Sequence, residues 1–366
     1  MVVLEAGQVA AGTSAATFAV DITRVKTPRA LFDLSLASAR EHALLQREGA
    51  DDSWVHPAAT LEWEGTPRDR QRLRDRAQRL HAWGYPTQWL SPTRVRDVEP
   101  ALAMATGDAA EVAFYPDGGW YEPSVLARTL LGRAQQLGAT VHVGDAVTAM
   151  STVNGRITGV TTASGRQLSA DVVVNCGGPQ AADVAALAGA ELPLWRVPGL
   201  VVTSTPAPTG LRTILAAEGL NVRPHLGDRV VLHSWKVDGE IYSAFALAEH
   251  LLDQARLLLP GLARAAVQSA LVGVRPVPLD GLPVVGFLPG VDNLYTVVSH
   301  SAVHLAPILG RLAASELAGF PQKRLDSFRP TRFPPGADGA DPLDENTRAM
   351  LTRINAYCRQ KPADAE

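Results

Sequence analysis

The sequence predicts an α/β (α+β) fold in two interleaved domains, and three observations predict it. The chain opens Met1-Val2-Val3-Leu4-Glu5, an aliphatic run that ends on an acidic residue. Further on, a helix and a meander lead into a buried strand, Asp171-Val172-Val173-Val174-Asn175, which ends at Cys176-Gly177-Gly178-Pro179. A strand-rich block from Val197 then separates these segments from a last strand–helix unit. Alternation of this kind suits layered α/β and α+β architectures. An aliphatic strand closed by a carboxylate is how the second strand of a dinucleotide-binding βαβ unit ends, with the carboxylate on a ribose. Such a unit carries a first strand and a G-x-G-x-x-G turn about 20 residues upstream. Nothing precedes Met1, and no two glycines in the chain are separated by a single residue. The unit is therefore expected to be truncated at its N-terminus.

The elements follow in order. Residues 7–14 form a small-residue loop, and residues 28–48 a helix with Leu31, Leu34, Ala37 and Leu44 near helical spacing. Thr66 and Pro67 start a second helix over 68–81, with Leu73, Ala77 and Leu80 inward and six arginines on a solvated face. A turn at 115–120 leads to a helix over 123–137 closed by Gly138. Residues 139–143 form a strand, and 146–150, 156–162 and 166–168 a meander with turns at Asn154-Gly155 and Ser164-Gly165. Strands are expected at 200–203, 230–233 and 241–245, and helices at 248–259 and 263–271. A buried strand at 294–298 and a helix at 302–317 close the ordered part. Beyond Pro330 the composition is that of a linker, with a short helix expected at 344–359.

Composition narrows the function classes. The 366 residues suit two domains, and a hydrophobic share of 46% with mean hydropathy +0.02 supports a sizeable core. The net charge of −3 gives no electrostatic case for nucleic acid or anionic membrane. No apolar run reaches the roughly 18 residues of a membrane span. The two cysteines, Cys176 and Cys358, match no metal pattern and point to a reducing, cytoplasmic setting; Cys176 is expected to be an inert buried thiol. His300 and His304 are four apart but lack a third ligand, so no metal is expected.

Several segments, in order, resemble the family of FAD-dependent D-amino-acid, glycine and sarcosine oxidases. They are Val2-Val3-Leu4-Glu5, Gly12-Thr13-Ser14, Gly138-Ala139-Thr140-Val141 with Val147, and the Asp171–Gly178 strand and turn. Gly273-Val274-Arg275-Pro276, the run from Asp280 to Gly286, and Ser299-His300-Ser301 complete the set. The resemblance covers about residues 2–330. It implies a discontinuous FAD-binding Rossmann-like domain over 1–48, 123–192 and 268–330. An antiparallel-sheet substrate domain over 49–122 and 193–267 and a tail over 331–366 complete the division.

The resemblance implies an oxidoreductase that takes a hydride from the C–N carbon of an amino acid or related amine. It implies non-covalent FAD, since Val277 stands where some members carry the linking cysteine. The missing glycine turn is expected to weaken FAD binding, and it leaves a flavin-free remnant or binding protein as the alternative. Glu5 would hold the ribose, and Thr13 and Ser14 would lie near the pyrophosphate. Val147 would offer main chain to adenine, and Gly177 would let the backbone approach. Ser301, Ala302 and Val303 would open a helix toward the flavin, with Ala302 where the family usually has glycine. Arg275 would bind the substrate carboxylate as a fork. Tyr242 and His233 are candidates to line its pocket. No catalytic acid–base residue is assigned. Alternatives stay open: a solvated carboxylate for Glu5, a plain loop for Thr13 and Ser14, a core side chain for Val147, a tight turn for Gly177, and an ion pair with a protein carboxylate such as Asp280 for Arg275.

Overall fold

A computed structural model describes residues 1–48, 53–103, 111–235 and 244–334. In chain order the elements are β1 (Val2–Glu5), α1 (Arg29–Arg47), β2 (Val55–Pro57), β3 (Thr60–Trp63), α2 (Pro67–Ala82), β4 (Gln88–Leu90) and α3 (Pro92–Val98). There follow β5 (Val112–Tyr115), β6 (Gly119–Tyr121), α4 (Pro123–Gln136), β7 (Thr140–Val143), β8 (Val147–Val153), β9 (Arg156–Thr162), β10 (Gln167–Leu168) and β11 (Val173–Asn175). Next come α5 (Ala181–Ala186), β12 (Leu194–Ser204), β13 (Ile214–Ala217), β14 (Leu220–His225) and β15 (Arg229–Ser234). The last are α6 (Ala244–Leu258), β16 (Val267–Pro278), β17 (Val284–Phe287), β18 (Leu294–Val298) and α7 (Ala302–Leu317).

Local chemistry explains the boundaries. Thr66 accepts the Asp69 N–H at 3.1 Å and Pro67 fills the first turn, so α2 starts there. Its buried residues are Leu73, Ala77 and Leu80, the stripe read from the sequence. The bounds of α7, β9 and β18 coincide with their expected spans.

Three expectations need correction. The buried strand expected at 171–175 is shorter, Val173–Asn175, and Val172 and Val174 are exposed because, among the described residues, it lies at the edge of its sheet. Residues 263–271, expected as helix, instead follow a 3-10 turn at Pro260–Leu262 and enter β16. The alanines there favour helix, but the partners of Leu271, Val272 and Val274 on β12 decide the outcome; tertiary pairing overrides weak propensity. Of the expected strand at 241–245, residues 241–243 lie outside the described residues, and Ala244 and Phe245 begin α6. The helix expected at 344–359 also lies outside them.

The largest sheet runs β16-β12-β15-β14-β13-β3-β5-β4 and is mixed, because β13 pairs parallel to β3. Strand β16 crosses the 267/268 boundary and pairs with β12 along its length, so it is part of this sheet. Helix α6 covers one face and buries Leu251, Leu252 and Ala255 against Leu200, Val202, Val222 and Leu232. Elsewhere β1 pairs parallel to β7, and β11 pairs parallel to β18, with β17 antiparallel beyond it. A second core joins α1 and α7 to β17 and β18 through Leu31, Leu34, Val285, Tyr295 and Ile308. A third lies under the meander around Ile157, Ala181 and Val284. Among the described residues, no helix is long and apolar enough to cross a membrane.

Candidate active site

In open α/β sheets, ligands gather beyond the carboxyl ends of parallel strands. Here β1, β7, β11 and β18 are the parallel strands outside the large sheet. Each candidate cofactor residue follows the carboxyl end of one of them or closes it. Glu5 closes β1, and Thr13 and Ser14 lie in the loop beyond it. Val147 begins β8 just past β7, Gly177 follows β11, and Ser301–Val303 follow β18.

The Glu5 carboxylate accepts the Gly7 N–H at 2.8 Å, and its carbonyl accepts the Asp145 N–H at 3.0 Å. Asp145 in turn accepts the Ser164 amide at 3.0 Å and the Ser164 hydroxyl at 2.9 Å. Those bonds hold its carboxyl down at about 2 and tie the meander, with Val147, to the end of β1. Val147 is half-buried and packs on the third core. A Cβ at Gly177 would lie 3.2 Å from the Asn175 Oδ1 and 3.3 Å from the Ala181 backbone, so a side chain there would press on the turn itself. Cys176 beside it is exposed, which corrects the expectation of a buried thiol: β11 has a described partner on one side, β18.

The loop holding Thr13 lies on the strand that carries Arg275. The Thr13 hydroxyl donates to the Val274 carbonyl at 2.5 Å, and a Cβ at Gly273 would stand 2.5 Å from the Ala16 carbonyl oxygen. Arg275 lies across β12: its Nη2 donates to the Pro198 carbonyl at 3.1 Å, and Gly199 leaves the room, since a Cβ there would come within 2.8 Å of Nη2. Asp280 is not its partner. That carboxylate forms a fork with Arg332 at 2.6 and 2.9 Å. Gly199→Ala is expected to leave the thermal midpoint unchanged while shifting the flexible guanidinium, so carboxylate affinity falls several-fold; a titration beside a melting curve checks it.

Basic groups converge around this guanidinium. Burial, then the Arg275 charge, pushes His233 down to about 3. Burial, followed by the Lys26, Arg275 and His233 charges, holds His300 well below the usual imidazole range. Lys26 is 8% exposed, its ammonium donates to the Ser301 hydroxyl at 2.9 Å, and burial lowers it to about 8 against the pull of Asp21. Ser301 is left-handed, with φ 64°, and α7 starts without a side-chain cap or an acidic residue in its first turn. Its first amides therefore present a positive end.

The Arg275 charge thus reaches both His233 and His300, the Lys26 charge reaches His300, and Lys26 touches Ser301. Tyr242 lies outside the described residues. Sequence reasoning does not place Lys26 at the site, and it gives His300 no role there. Among the described residues no group of three His, Cys, Asp or Glu could hold a metal ion. A lysine two residues before a proline carries no sequence signal of burial.

The family model described as FAD dependent oxidoreductase matches residues 1–316. The chain belongs to this family. A similar relative of this FAD-dependent oxidoreductase is the glycine oxidase of Geobacillus kaustophilus, 26% identical over 315 residues, which span 84% of this chain and 82% of the relative. The D-amino acid dehydrogenase of Methylobacterium radiotolerans is 28% identical over 71% of this chain and 64% of that protein. The crystal structure of the Geobacillus glycine oxidase superposes with a TM-score of 0.81 at 24% identity, covering 91% and 92% of the two chains, and shows the shared fold. FAD is the cofactor of the family. The residues present fit its two ends, a carboxylate at the end of β1 and a positive helix end after β18, while the sequence offers no glycine-rich turn for the pyrophosphate.

Proposed function

We propose that this FAD-dependent oxidoreductase oxidises the C–N bond of a small amino acid or related amine. Arg275 carries the reading: it is seated in the gap at Gly199, among histidines held neutral and near the first turn of α7. Its guanidinium would take the substrate carboxylate, two parallel N–H donors fixing the plane of the acid and hence the direction of the α-carbon. His233 and His300, neutral at pH 7, would add no charge to compete for that carboxylate. Glu5 would hold the ribose, and Ser301–Val303 would lie against the flavin. FAD, when bound, supplies the acceptor for the α-carbon hydride, and the imine left behind hydrolyses in water. The substrate would sit between units 1–48/123–192/268–330 and 49–122/193–267. The relatives named for glycine and D-amino acid oxidation support this substrate class, and two cysteines fit a cytoplasmic protein.

Protein supplied with FAD and mixed anaerobically with glycine, N-methylglycine and D- and L-amino acids is expected to bleach with at least one of them and release ammonia or an amine. Protein that takes up no FAD yet still binds carboxylates would overturn the oxidoreductase reading. Ala302 is exposed at the first position of α7. Ala302→Gly is expected to tighten FAD if the methyl crowds the cofactor; equal or weaker binding in equilibrium dialysis would show that it does not.

A further inference from the structure

Helix α7 carries Pro307 inside its second turn. Proline has no N–H, so the carbonyl four residues earlier, that of Val303, loses its usual donor, and the ring crowds it. Helix α1 answers from the side. His42 Nε2 lies 3.1 Å from both the Val303 and the His304 carbonyl oxygens, and the Ser38 hydroxyl donates to His304 O at 2.6 Å. Ser35, Ser38 and His42 stand at i, i+3 and i+7, one face of α1, and all three are fully buried. The tautomer is fixed by its neighbours. The indole of buried Trp54 can only donate, and its Nε1 lies 3.3 Å from His42 Nδ1, so Nδ1 accepts and Nε2 carries the proton. Tyr121 stacks on the His42 ring at 4.0 Å and reaches His304 Nδ1 at 3.2 Å, while Ser35 meets His304 Nε2 at 2.6 Å.

We propose that His42 is a positioning residue: it supplies the hydrogen bond that Pro307 denies to α7 and so holds the first turn, with Ser301–Val303, at the site. The importance of that turn rests on the proposed function; the hydrogen-bond substitution does not. Burial and the neighbouring His304 keep His42 neutral, at about 4, so that Nδ1 stays free to accept the Trp54 indole while Nε2 donates.

The test is a double-mutant cycle read by hydrogen exchange across residues 299–310 and by the thermal midpoint. His42→Leu is expected to raise exchange in the first turn of α7 and to lower the midpoint by about 2–4 °C or more. Pro307→Ala restores an N–H at that position, so adding His42→Leu there should cost clearly less. His42→Gln keeps a donor and should recover protection without the proline change. Leu251→Ala, in the distant α6 core, should lower the midpoint without altering exchange at 299–310. FAD affinity should fall about tenfold in His42→Leu and return in His42→Gln. Equal losses with and without Pro307, or unchanged exchange in the first turn, would overturn the inference. Failure of the cofactor reading has a different mark: no flavin uptake by any variant while the exchange still responds.

Discussion

Arg275→Ala is expected to remove most of the affinity for a carboxylate ligand, by roughly 10- to 100-fold, equivalent to about 1.5–3 kcal/mol for a charged hydrogen-bonding partner. Absorbance of the flavin-loaded protein, titrated with benzoate or an amino acid, measures it. The substitution opens space above Gly199 and leaves the β12–β16 pairing intact, so the thermal midpoint should barely move. Arg275→Lys tests geometry: a point charge cannot reproduce the planar fork, and recovery should be partial at best. Affinity unchanged in Arg275→Ala would assign the guanidinium a structural role, with the Val197 and Pro198 carbonyls among its partners.

Acid is expected to destabilise the protein well above the range in which carboxylates titrate. His42 and His233 are held at about 4 and about 3, and His300 and His304 are shifted in the same direction. An unfolded chain takes up these protons near pH 6.5. The folded protein binds fewer protons between pH 6.5 and its own lower values, so its stability falls through that window as pH falls. For His42 alone the loss is on the order of 3 kcal/mol by pH 4, a large part of an ordinary domain's margin. Protonating Nδ1 would also set a donor against the Trp54 indole. The urea midpoint, followed by tryptophan fluorescence, should drop steadily from pH 7 to pH 4.5. A flat midpoint over that interval would contradict the neutral state of His42, with Nδ1 accepting and Nε2 donating. Below about pH 4 the Asp145 carboxyl should add to the loss as it protonates near 2.

Much of the fold was legible because its elements carry their own signals. The stripe of α2, its Thr66-Pro67 start, the Asn154-Gly155 turn and the apolar run of β18 each follow from local chemistry. What misled was β16, where an alanine-rich entry reads as helix and the deciding partners lie some 70 residues away on β12. In the candidate site, Arg275 stands out in the sequence because a costly residue type lies between apolar runs. The site was not legible where burial is imposed from outside the local sequence. Lys26 sits in an irregular segment and is enclosed only once α7 folds against it. His42 reads as one more polar residue near the end of an amphipathic helix until Pro307, 265 positions on, is seen to need it.

The long pair of β12 and β16 has a mechanical meaning. Leu194, at one end, packs on the core beneath the meander, whereas Leu200, Val202 and Ala270, further along, pack on the core under α6. The ribbon is bonded from Leu194–Pro278 to Ser204–Val267, and a strand of this length spans about 35–40 Å. It is thus a beam fixed in two cores, with Arg275 mounted on its surface between them. A beam bends little and does not swivel. The anchor for the substrate would keep its distance from both cores whatever the surrounding loops do. The loop that Thr13 pins to Val274 is carried by the same beam, so its end is held in register with that anchor.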